Sequence, residues 1–173
     1  MTYKIFKTDE DWKEKLSPEQ FRICRKKDTE RPFTGIYNDC KEKGTYNCLC
    51  CGVQLFSSDS KFDSGSGWPS FFKSLNDENI EYVKDVSYGM ERIEVNCKQC
   101  GSHLGHVFDD GPQPTNLRYC INSASLDLKK VKLNNTAIVA KLCESYCVVL
   151  ELLHKVYHHC LNQEHLICIQ NMV

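Results

Sequence analysis

Two C-x-x-C pairs, Cys48-Leu-Cys-Cys51 and Cys97-Lys-Gln-Cys100, each followed directly by glycine, constrain this chain more than any other feature. A two-residue spacer lets both thiolates of a pair turn toward one cation, and two pairs supply the four soft ligands of a closed, tetrahedral structural zinc site. Cys50 lacks that spacing and is expected to point away. The interval between Cys51 and Cys97 exceeds that of a single zinc finger, so the ion is expected to tie together distant parts of a sheet. Buried unliganded cysteines are common core residues, but the paired pattern is too specific for that reading. A thioredoxin-like redox pair needs a βαβ context that the surrounding residues lack.

A chain of 173 residues is long enough for one domain with its own core. Its 22 basic and 23 acidic residues leave a net charge of −1, so no long-range field draws it to nucleic acid or an anionic membrane. The start, MTYKIFKTDEDWKEKL, has no apolar h-region and carries acidic residues, which argues against a secretory signal and a transit peptide. A cytoplasmic location is therefore expected, and there twelve cysteines point to metal or catalysis rather than disulfides.

Thr8 or Asp9 can cap a short helix through Trp12 and Leu16. Ser17-Pro18-Glu19-Gln20 predicts a second, with proline at the first helical position and a capping-box glutamine three residues after the serine. From Pro32 to about Leu128 the texture is mostly β: Arg92-Ile93-Glu94-Val95 alternates, and Tyr119-Cys120-Ile121 sits between turn-like segments. Residues 1–131 are thus expected to form one domain. Residues 132–173 form an atypical tail, in which Lys141, Glu144, Glu151 and Lys155 make a narrow stripe on an otherwise apolar helical pattern. An extra C-terminal helix docked on the domain or on a second copy is expected, with membrane-surface attachment or a poorly folded tail as alternatives; the charges interrupt any transmembrane run. Cys143 and Cys147, like His154 and His158, lie one helical turn apart, and ordinary packing explains them more simply than a second metal site.

With four thiols assigned to zinc, Arg118-Tyr-Cys-Ile-Asn-Ser123 stands out. On a strand, Arg118, Cys120 and Asn122 project from one face, placing a guanidinium and an amide beside a thiol. A cation stabilises the nucleophilic thiolate, and an amide can hold a bound polar atom. Immediately after the second pair, Gly101-Ser-His-Leu-Gly-His supplies His103 and His106, imidazoles fit for acid or base work on a rigid turn. Upstream, DSGSGWPSFF sets Trp68 on a tight bend; neither phosphate-cradle pattern can be written through Gly65 and Gly67.

GSGWPSFF, the two C-x-x-C pairs, GSHLGHVFDDGP and RYCINSASL, in this order and with FRICRKKDTERPFTG near the start, resemble the methionine sulfoxide reductase B family from about Ser17 to Leu128. The resemblance implies two twisted antiparallel sheets with short N-terminal helices outside, and reduction of the R epimer of methionine sulfoxide, free or in proteins. It implies Cys120 as nucleophile, Trp68 as the wall against the substrate methyl, and His103 and His106 as the paired pocket histidines. Asp110 and Asn122, with His106, match the polar network around the sulfoxide oxygen; Arg118 matches the residue that favours the thiolate; Cys48, Cys51, Cys97 and Cys100 match the zinc ligands. A sulfenic acid left on Cys120 must then be reduced by another thiol.

Ser66 stands where many family members carry a resolving cysteine, and a hydroxyl does not perform thiol exchange. Cys24, on a segment expected to be flexible, is the candidate resolving thiol, with Cys40 a weaker one and thioredoxin or another thiol as the external route. A non-catalytic zinc module of similar sheet architecture, binding a partner in an aromatic groove, is the competing reading.

Overall fold

Capping boxes open both helices of the computed structural model, which describes residues 3–131. Helix α1 (Asp9–Lys15) starts at Thr8, whose hydroxyl accepts from the Asp11 amide while the Asp11 carboxylate accepts from the Thr8 amide. Helix α2 (Pro18–Lys26) repeats the device with Ser17 and Gln20. Each box satisfies amide donors that the first turn leaves unpaired. Trp12, Phe21, Ile23 and Cys24 turn inward from these helices.

No strand forms between α2 and Gly44, so the β region begins later than Pro32. Proline and turn residues hold this strap open, and Glu30 commits its carboxylate to the backbone amides of Ser123 and Ala124 instead of joining a sheet.

Nine strands follow among the described residues: β1 (Gly44–Cys48), β2 (Gln54–Ser57), β3 (Lys61–Phe62), β4 (Ser70–Phe71), β5 (Ile80–Asp85), β6 (Arg92–Cys97), β7 (His103–Phe108), β8 (Arg118–Ile121) and β9 (Leu126–Lys130). They make two antiparallel sheets, a small one in the order β2-β1-β9 and a large one in the order β3-β4-β8-β7-β6-β5. Aromatic rings fill the space between them. Phe56 of the small sheet stacks on Phe71 of the large one at 4.5 Å, Tyr46 meets the same ring edge-on at 5.0 Å, and Tyr119 closes the group 5.4 Å from Phe56. Such pairs add roughly 0.5–1.5 kcal/mol each beyond the area they bury. Because Tyr119 and Ile121 face this core, strand alternation sends Arg118 and Cys120 to the opposite face.

The mainly β architecture with two short helices agrees with the sequence reading. The expected C-terminal helix, and with it Cys143, Cys147, His154 and His158, lies outside the described residues. Among the described residues no helix is long and apolar enough to cross a membrane.

Candidate active site and metal centre

Strand register assembles the site in a single row. Cys120 on β8 pairs with Ser70 on β4 from one side and with His106 on β7 from the other, and His106 in turn pairs with Glu94 on β6. Directly opposed residues of an antiparallel sheet share a face, so the four side chains line one transverse row, away from the aromatic core.

His103 joins that row through an irregularity. Three residues apart on a plain strand, His103 and His106 would face opposite sides. The register of β6 against β7 skips Leu104, pairing Val95 with Gly105 but Asn96 with His103, and this extra residue restores a common face. The two rings stand 5.6 Å apart. Gly105 makes the close packing feasible: a Cβ there would lie 2.1 Å from the carbonyl oxygen of Cys120.

The DSGSGWPSFF bend behaves as the glycines demand, with Gly65 and Gly67 both at positive φ. A Cβ on Gly67 would lie 2.7 Å from Pro32 and 2.9 Å from the Phe33 amide nitrogen, which donates to the Gly67 carbonyl. This contact joins the bend to the strap. The Trp68 indole N–H donates to the Glu30 carbonyl at 3.1 Å, fixing the ring plane.

Trp68, Cys120, Asn122 and His106 together line a cavity of about 100 Å³, with Thr29, Arg92, Gly105 and Phe108 completing its wall. Ligand pockets usually run to roughly 300 Å³ or more, so this one suits the end of a side chain rather than a whole cofactor. Asn122 is held rigidly: its amide oxygen accepts from the Glu30 amide at 3.0 Å, and its amide nitrogen donates to the Leu104 carbonyl at 2.9 Å. One N–H remains for a guest.

Burial pushes the Cys120 thiol up, opposed by a hydrogen bond from the Ser66 hydroxyl and by the Arg118 charge, which do not cancel it. The guanidinium two residues away therefore does not by itself produce a low thiol pKa, contrary to the simple sequence expectation. Burial likewise lowers His106, against the opposing hydrogen bond with Asp85. His106 Nε2 lies 2.8 Å from Asp85 Oδ2, and Arg92 reaches the same oxygen at 2.7 Å. His103 Nδ1 donates to Glu94, whose other oxygen accepts from Lys27; His103 Nε2 is buried with no protein partner among the described residues.

Asp110 does not contact His106. Its carboxylate takes two hydrogen bonds of 2.8 Å from Arg118 and lines a separate cavity with Ser66 and Gly111, rather than meeting His106. The partner of His106 is Asp85, which sequence reading missed because β5 reaches the site only through the fold. Glu30, Arg92 and Glu94 were missed for the same reason, although Glu94 and Arg92 lay within a strand that the alternation located.

Cys24 also departs from expectation. It sits on α2, not on a flexible segment, and is 1% exposed, with its sulfur 3.7 Å from the Ala124 carbonyl. A hydrogen bond with Cys50 and burial hold its thiol above the ordinary range. Cys40 is half-buried and lines a surface cavity with Lys43, Lys61 and Asp63.

The thiols of Cys48, Cys51, Cys97 and Cys100 converge, all four sulfurs lying within 4.8 Å of one another. Cys48 and Cys100 are separated by 3.7 Å and Cys51 and Cys97 by 3.5 Å. A tetrahedron with metal–sulfur bonds of about 2.3 Å has edges of about 3.8 Å, so this donor set fits a metal ion. Cys50 turns aside to the Ser102 hydroxyl at 3.4 Å, as its spacing requires. The cluster joins two sheets rather than parts of one: Cys48 ends β1 in the small sheet and Cys97 ends β6 in the large one.

These features define a two-sheet β protein with a metal-capable tetracysteine cluster and a separate pocket lined by a thiol. The chain belongs to the SelR domain family, whose model matches residues 16–130. It is 63% identical over 124 residues to "Peptide methionine sulfoxide reductase MsrB" of Saccharophagus degradans, covering 72% of this chain and 92% of that one. The protein of the same name from Leptospira interrogans is 58% identical over 130 residues, with 75% and 99% covered, and that of Acinetobacter baumannii 58% over 132 residues, with 76% and 95% covered.

Proposed function

We propose that this chain is an oxidoreductase that reduces methionine (R)-sulfoxide, free or in proteins, to methionine. The observation that carries this reading is that Cys120 lines a side-chain-sized cavity together with the Trp68 indole, His106 and Asn122. An apolar indole packs against the sulfoxide methyl, while the free N–H of Asn122 and the protonated His106 ring donate to the oxygen; exchanging the two substituents, as in the S epimer, sets each against the wrong group.

The Cys120 thiolate attacks the sulfoxide sulfur. The oxygen passes to Cys120 with a proton supplied through His106, releasing methionine and leaving a sulfenic acid. Two external thiol groups, both supplied by one molecule of thioredoxin or of a small dithiol, then return the sulfenic acid to the thiol, releasing water and a disulfide. The helical, buried setting of Cys24 favours this external route over a Cys24–Cys120 disulfide. Zinc is the ion that four thiolates at tetrahedral separations suit best; set away from the pocket, it serves structure. The reaction needs Cys120 as a reduced thiol and the cluster needs four thiolates, which suits a reducing, cytoplasmic setting.

Incubation with each epimer and dithiothreitol tests the reading. The R form is expected to be consumed, the S form spared, and Cys120→Ser silent. No turnover of either epimer would instead identify a non-catalytic zinc module. Mass spectrometry after one turnover is expected to find Cys120 oxidised and Cys24 reduced.

A further inference from the structure

The serine that replaces a resolving thiol is not a passive substitute. Ser66 Oγ lies 3.7 Å from Cys120 Sγ. The Ser64 hydroxyl donates to Ser66 Oγ at 2.8 Å, and Ser64 Oγ lies 2.7 Å from Ser70 Oγ. Since the only hydroxyl proton of Ser64 is directed at Ser66, Ser64 accepts from Ser70, whose single proton is shared between Ser64 Oγ at 2.7 Å and the Trp68 carbonyl at 3.2 Å. Ser70 is fully buried, and it pairs with Cys120 across the sheet, which fixes one end of the chain against the other.

Ser66 Oγ accepts a second hydrogen bond from the Trp68 amide at 3.5 Å. Both of its lone pairs are then occupied, and its own proton remains for the sulfur. In that arrangement Ser66 cannot readily accept from a neutral thiol, but it can donate to a thiolate. We propose that the Ser66 hydroxyl is a catalytic group of the reaction assigned to Cys120, donating to its sulfur as the last link of a one-directional chain running Ser70, Ser64, Ser66.

The bond favours the anionic, nucleophilic sulfur and penalises the neutral one. Other charges face Cys120: Arg118 on its own strand, Asp110 from the turn after β7, and His106 and Arg92 across the shared cavity. All remain in place when Ser66 or Ser64 is changed, so a shift in those variants is assignable to the hydroxyls.

The test is the pH dependence of iodoacetamide labelling of Cys120 in the full chain, followed on the tryptic peptide Tyr119–Lys129, whose one cysteine is Cys120. Ser66→Ala is expected to raise the midpoint by about one pH unit, cutting labelling at pH 7 roughly tenfold. Ser66→Thr, which keeps the hydroxyl, restores it. Ser64→Ala, which frees Ser66 to accept from the thiol, shifts it in the same direction by less. An unchanged midpoint in a folded Ser66→Ala chain overturns the proposal; should that variant fail to fold, an unchanged midpoint in Ser64→Ala does so. The readout needs no turnover. A failed epimer assay with a shifted midpoint removes the reductase reading and keeps the hydrogen bond; turnover with no shift does the reverse.

Discussion

His103 Nδ1 lies 2.7 Å from Glu94 Oε1, and Glu94 Oε2 lies 2.9 Å from Lys27 Nζ, so a carboxylate joins an imidazole on β7 to an ammonium on the strap. An ionised carboxylate can only accept, which requires the Nδ1 proton and turns His103 Nε2 into the free position of the ring. Glu94 therefore sets the tautomer.

Glu94→Gln keeps the shape and removes the charge. Replacing a charge-assisted hydrogen bond by a neutral one is expected to cost about 1–2 kcal/mol, lowering kcat roughly tenfold with KM little changed. Steady-state kinetics with the R epimer check this.

Acid stability has a definite sign at the same residue. Burial opposes ionisation of Glu94, yet the bonds from His103 and Lys27 outweigh it and hold the carboxyl at about 2, against an ordinary 4.5. A depressed carboxyl stabilises the fold above the unfolded value and loses that contribution as pH falls through the folded one. The difference in denaturant midpoint between the native chain and Glu94→Gln is expected to shrink between about pH 5 and pH 2.

Turnover should show a broad plateau. Burial raises the Cys120 thiol and lowers His106, so thiolate and imidazolium coexist rarely, but their joint population stays constant between the two values. The single-turnover rate is expected to be flat between them, to fall in acid as the thiolate is lost, and to fall in alkali as the imidazolium is lost. In His106→Gln the rate should instead climb with pH up to the thiol midpoint. Rapid-quench measurement of methionine release from pH 5 to 10.5 distinguishes the two profiles.

Metal removal should loosen the whole fold. Because the ion would bridge the two sheets, stripping it with a strong chelator, or substituting Cys97→Ser, is expected to lower Tm by at least ~10 °C. Elemental analysis should return one zinc per chain in the native protein and little in the variant.

Gly105→Ala tests the strand approach. A methyl 2.1 Å from the Cys120 carbonyl must push β7 from β8, at a cost of roughly 3 kcal/mol. Urea unfolding is expected to show the lower midpoint, and turnover should fall with it because the row of site residues spans that seam.

Local signals carried well from sequence to structure. Ser17 and Gln20 marked a helix start through a contact three residues long; the C-x-x-C pairs needed only their spacing; the alternation from Arg92 to Val95 marked a strand, although within it Ile93 is exposed and Glu94 buried. What did not carry was register. The skipped Leu104 reverses the facing of His103, and Asp85 reaches His106 through the pairing of β5 with β6. Neither leaves a mark in composition. Cys24 was different: its place three residues after Phe21, on a helix whose cap had been read, already gave it an inward face.

The small sheet has the order β2-β1-β9, so its last strand comes from the end of the domain while its first two are made early. On the ribosome, β1 and β2 must wait with one side open until residues 126–130 emerge. The early hairpin thus carries an unpaired edge through most of synthesis, a hazard for mispairing between nascent chains. Cys97 and Cys100 appear before β9 does, and metal capture at that moment would hold β1 against the growing large sheet until its true neighbour arrives.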